Sequence, residues 1–118
     1  MDHRFEALGY RVQLTEDEGV WVATARRLDT GDTFGPPMPA DQADEATDQL
    51  ARWLEWQQTH AAALQALQRA ESTYHRLSAD RFAAANDGDR AALRVALAHL
   101  DDRRRALDEV RARRPWPH

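Results

Sequence analysis

The feature that most constrains this chain is Asn86-Asp87-Gly88-Asp89, set between two long stretches free of Gly and Pro. Neither residue interrupts positions 40–87. Across them Ala46, Leu50, Trp53, Leu54, Ala61, Leu64, Leu67, Tyr74, Leu77 and Phe82 recur at helical spacing. Beyond the turn, Leu93, Leu97, Leu100, Leu107 and Val110 mark a second apolar face, with Arg104 where that face expects an apolar residue. Gly88 suits the left-handed position that closes a helix, and Asp89 suits the N-cap of the next. The pattern predicts an antiparallel helical hairpin over 61–114, reversing at 86–89.

The arms do not match in length. A helix over 89–113 spans roughly 37 Å, whereas an unbroken one over 41–86 spans roughly 69 Å at 1.5 Å per residue. The polar run Gln57-Gln58-Thr59-His60 therefore predicts a break, with Ser78-Ala79-Asp80 as an alternative. The segment 41–58 then becomes a helix lying on something else. Asp41 is its expected N-cap, and Asp44, Glu45 and Asp48 complement the positive end of the helix dipole.

That other surface is a small sheet. Tyr10–Thr15 alternate apolar and polar, Glu16-Asp17-Glu18-Gly19 turns, and Val20–Ala25 return. Tyr10, Val12 and Leu14 share a face; Val20 and Val22 are expected to join it, which sends Trp21 to the other. Asp29-Thr30-Gly31-Asp32 reads as a second turn. Thr33-Phe34 opens a short third strand, and Gly35-Pro36-Pro37-Met38-Pro39 should end it, because proline lacks the ladder donor. The predicted class is α+β. A small antiparallel sheet of two or three strands packs on a helix within 8–58, followed by the helical hairpin. The chain of 118 residues fits a single domain.

Charge is uneven. Residues 1–87 carry 8 Arg and 15 acids, net −7, and residues 88–118 carry 8 Arg and 5 acids, net +3. All 16 basic residues are Arg, which with the high Ala and Asp content reads as a GC-rich bacterial genome. There is no cysteine, hence no disulfide framework and no Cys-based zinc site or nucleophile. The first six residues are too polar for a signal peptide, and no stretch has the apolar length of a spanning helix. Cytoplasm is the expected location.

Candidate chemistry is sparse. His75 and His99 lie 12 residues either side of Asp87, so a symmetric hairpin brings them level. A metal would still need carboxylates such as Glu71 or Asp102, and surface histidines are the plainer reading. Asp101, Asp102, Asp108 and Glu109 lie among arginines at ion-pair spacing. No catalytic, cofactor or metal residues are assigned, and no enzyme activity is expected. Trp21, Trp53, Trp56, Leu64, Leu67 and Tyr74 are the candidate partner-binding residues, since Trp is enriched at interface centres. Arg103, Arg104, Arg105, Arg111, Arg113 and Arg114 are the candidate nucleic-acid contacts, although four acids share their segment.

The run Tyr10–Leu14, Glu16–Ala23, Gly31-Asp32-Thr33, then Ala43–Ala46 into Leu50 and Trp53-Leu54-Glu55 resembles the N-terminal domain of HicB-like antitoxins. The resemblance covers about 45 residues. It implies a three-stranded sheet with a helix across it, used to hold a toxin. The Gly35–Gln42 insert and the helical C-terminus depart from that family. Three functions follow as expectations: a protein-interaction module, homodimeric through its helices; a nucleic-acid-binding accessory protein using the last helix; and an antitoxin-like inhibitor of a small partner protein.

Overall fold

The computed structural model describes residues 3–79 and 87–115. The chain divides into two compact units, 1–57 with 114–118, and 58–113. Its class is α+β, in the order α1 (His3–Leu8), β1 (Tyr10–Asp17), β2 (Val20–Arg27), β3 (Thr33–Ala40), α2 (Ala43–Ala79) and α3 (Asp87–Ala112).

The first unit is an antiparallel sheet of three strands, ordered β1-β2-β3, with the start of α2 packed on one face. Of the two or three strands expected, three are present. The β1–β2 loop has only two residues, Glu18 and Gly19, with φ of 50° and 81°. Two positive φ values give the primed turn whose twist matches the flanking strands. An even-numbered loop pairs even positions of β1 with odd positions of β2, as in Leu14 opposite Ala23 and Glu16 opposite Trp21. The expected face of Trp21 is therefore reversed. Trp21 packs against the core with Tyr10 and Val12, and Val20 and Val22 lie on the open face.

Beneath the sheet, Phe5, Ala23, Ala25, Met38, Ala46, Leu50, Ala51, Trp53 and Leu54 form the core. Small Ala23 and Ala25 on the central strand leave room for larger side chains from either side. Tyr10 of β1 stacks on Phe34 of β3 over that gap, with ring centroids 5.2 Å apart, and Trp53 tilts against Phe34 at 5.8 Å. The short helix α1, not foreseen in the sequence, brings Phe5 into this core and ties Arg4 to Asp48 of α2 at 3.0 Å.

β3 does not end at Pro36; it continues to Ala40 through three prolines. Its register slips between Ala25 opposite Phe34 and Ala23 opposite Met38. Pro36 falls in that irregularity. Pro37 and Pro39 occupy positions whose amide would point away from β2. On an edge strand the missing donors cost no ladder bond.

Helix α2 starts one step later than expected. The Ala46 amide donates to the Gln42 carbonyl at 3.1 Å, so Gln42 rather than Asp41 holds the N-cap position. The helix then runs 37 residues without the break expected at Gln57–His60, and the alternative at Ser78-Ala79-Asp80 falls where the described residues end. Polar residues weaken a helix far less than Gly or Pro does, and this run contains neither.

In the second unit α2 and α3 pack antiparallel: Arg111 reaches His60, and His99 lies beside Thr73. Three of the four residues expected to form the turn are helical. Asp87, Gly88 and Asp89 all belong to α3, so Asp89 is not an N-cap and Gly88 does not take a positive φ. Asn86 and Phe82 lie outside the described residues. The seam joins Leu67, Ala70, Leu100 and Leu107, with Ala63, Leu64 and Tyr74 packed against them. On α3 the seam frame is 96, 100, 103, 107 and 110. Ala96 is buried while Leu97 is 42% exposed, and Arg103, not Arg104, takes the central polar place. On α2, Ala61 is exposed and Ala63 takes its part. Leu100→Ala should thus cost about 2–5 kcal/mol in urea unfolding, and Leu97→Ala under about 1 kcal/mol. Equal losses would reject this frame.

Candidate functional site

The six candidate partner-binding residues are drawn inward. Trp53 lies in the first core and Leu67 in the second. Trp21 packs against the first core, and Leu64 and Tyr74 against the second. Trp56 is half-buried, with the Arg114 guanidinium 5.5 Å above its ring. The apolar stripe of α2 is largely taken up within the two units.

The six candidate nucleic-acid arginines do not form one basic surface. Arg104 pairs with Asp101, and Arg105 with Asp102. The Arg111 Nε–H donates to His60 Nε2 at 3.4 Å. Arg114 covers Trp56. Only Arg103 and Arg113 of the six lack such a partner among the described residues.

His75 and His99 are not brought together into a ligand set. The His75 ring meets Tyr74 edge-on, and His99 faces α2 near Thr73. Among the described residues no group of three or more His, Asp or Glu is placed to hold a metal ion. No described helix is long and apolar enough to cross a membrane.

What remains accessible is the sheet itself, and its two edges differ. Hydrogen bonds from Leu28 N–H to the Gly9 carbonyl and from Arg27 N–H to the Asp32 carbonyl set the alternation. Odd positions of β1 address β2, so the amides of Tyr10, Val12, Leu14 and Glu16 point outward. β1 pairs with β2 over eight residues with no bulge, and six of those eight are exposed. The other edge, β3, carries the register slip and its outward prolines. The open face of the sheet presents Arg11, Gln13, Thr15, Asp17, Val20 and Val22, with Arg26 Nε donating to Gln13 Oε1 at 2.6 Å. Sequence reasoning missed this edge because it ended β3 early and left the strand order open.

No family model, curated protein or solved structure matches this chain.

Proposed function

We propose that this chain is a non-enzymatic, cytoplasmic protein-interaction module that pairs with a second copy of itself, edge to edge through β1. The asymmetry of the two sheet edges carries this reading. Proline and bulges are the ordinary devices that keep an edge from pairing, and β3 has both. β1 has neither; it offers a row of free donors and acceptors to another strand.

A two-fold axis perpendicular to the sheet makes antiparallel β1 pairing self-complementary. With Leu14 opposite its own copy, Arg11 of one chain faces Asp17 of the other, and the contact repeats by symmetry. Gln13 faces Thr15, and Val12 meets the stem of Glu16. Leu14, 39% exposed at the rim of the core, is covered. Each such cross-strand pair contributes roughly 0.2–1 kcal/mol. The product is a continuous sheet built from both copies. Pairing through the helices is less well supported, because their apolar stripe is used inside each unit.

Sedimentation velocity from low micromolar to near millimolar concentration tests this. Wild type is expected to dimerise. Leu14→Lys places two ammonium groups opposite one another and should leave a monomer with unchanged far-UV circular dichroism. Arg11→Asp should weaken the dimer, and adding Asp17→Arg should restore it. A wild-type monomer throughout, or a Leu14→Lys dimer, overturns the reading.

A further inference from the structure

We propose that the helical pair carries a binding site for a terminal phosphate group, independent of the sheet edge and of self-pairing through it. In the second unit, Arg69 and Thr73 of α2 and His99 and Arg103 of α3 line a depression of about 130 Å³, together with Ala66 and Ala70. Each helix supplies its two polar residues at a spacing of four, so both point from one face.

Its charge is the telling property. Acids outnumber arginines in this chain, 20 to 16. Arg4, Arg104 and Arg105 each hold a carboxylate. Arg69 and Arg103 hold none among the described residues. Two guanidiniums facing one depression repel each other, and an anion between them relieves that. Glu71, the nearest acid along α2, lies about 200° around the helix from Arg69.

The donors select the anion. The Thr73 hydroxyl donates to the Arg69 carbonyl at 3.1 Å, so it is already committed. Two guanidiniums and a ring nitrogen of His99 remain. A carboxylate is satisfied by one guanidinium fork, whereas a phosphate monoester offers three terminal oxygens and a charge of about −1.5 to −2. Beside the depression lies a second, more open one of about 420 Å³, lined by Gln65, Gln68, Arg69, Ser72 and Thr73. It shares Arg69 and Thr73 with the first. Its amides and hydroxyl suit the polar remainder of an ester. The ligand class is a phosphate monoester of a small polar compound, or free phosphate.

Amide and arginine side-chain NMR titration of the whole chain separates these. Glycerol phosphate, inorganic phosphate, dimethyl phosphate and sodium chloride are added in parallel at matched ionic strength. Saturable shifts at Arg69, Thr73, His99 and Arg103 are expected with the first two only. Tighter binding of glycerol phosphate assigns the ester, and equal binding assigns free phosphate. Arg69→Ala with Arg103→Ala should weaken binding about tenfold or more, while Arg113→Ala leaves it unchanged. Leu14→Lys, a monomer on the reading above, should still bind. Shifts that are linear and shared with chloride overturn the proposal. So does a diester that binds as well, or a double variant that binds like wild type.

Discussion

Gly35→Ala should destabilise the sheet-and-helix unit by about 3 kcal/mol, a large part of the roughly 5–15 kcal/mol available to a domain. Two costs combine. Gly35 has φ of +77°, a region that costs an L-residue about 1–2 kcal/mol. A Cβ there would also stand 2.6 Å from Trp53 Cζ3 and 2.8 Å from Trp53 Cη2. Overpacking of a filled core adds about 1–3 kcal/mol. Gly31→Ala is the control: φ is +75°, but nothing lies within 4 Å of the added carbon. It should lose only about 1–2 kcal/mol. Urea unfolding followed by tryptophan fluorescence compares the two. Equal losses would mean that the indole moves aside freely, and the proposed close packing of β3 on α2 would then be wrong.

Trp53→Ala should cost about 3–5 kcal/mol, the usual loss when a large aromatic leaves a core. Trp53 is 6% exposed, meets Phe34, and is the ring that Gly35 approaches. Its indole Nε1 is buried without an acceptor among the described residues. An unpaired buried donor costs about 1–3 kcal/mol, so Trp53→Phe removes a liability together with some contact area. It should stay within about 1 kcal/mol of wild type. Phenylalanine is also shorter at the end that Gly35 touches. Gly35→Ala with Trp53→Phe should therefore lose less than the sum of the two single changes. Strict additivity would show that the clash is not what makes Gly35→Ala costly.

Much of the architecture was legible in the residues, for local reasons. Alternation in Tyr10–Thr15, the acidic Gly-containing turn and the β-branched return specify a hairpin without reference to the rest of the chain. The Gly- and Pro-free stretches with apolar residues every three or four positions specify two helices. Each signal depends on neighbours a few residues away. The break near Gln57–His60 was misjudged because arm length was matched to the wrong object. One helix serves two cores, the sheet at Ala46–Leu54 and α3 at Leu64–Tyr74, so its arms need not match.

The candidate site was legible only in part. Trp53, Leu67 and the arginines stand out by type, but type does not say which face is already occupied. Arg103 was named for its place in a basic run, yet it lines one depression with Arg69 of the other helix, which no local pattern singles out. Frame decided that pairing. A shift of one residue on α3 exchanges Arg104 for Arg103 and Leu97 for Ala96 at the interface, because successive helical positions differ by about 100°.

The Gly- and Pro-free stretches that bracket Asn86–Asp89 by themselves determined two long helices, since helix propensity and apolar period are local properties. Tertiary structure decided the rest: α3 begins at Asp87, so Asp87, Gly88 and Asp89 of the expected turn are helical. It also decided that the prolines of β3 sit at an edge, and that β1 has the bare one. Strand order, seam frame and helix ends depend on which surfaces meet, and those surfaces come from residues far apart in the chain.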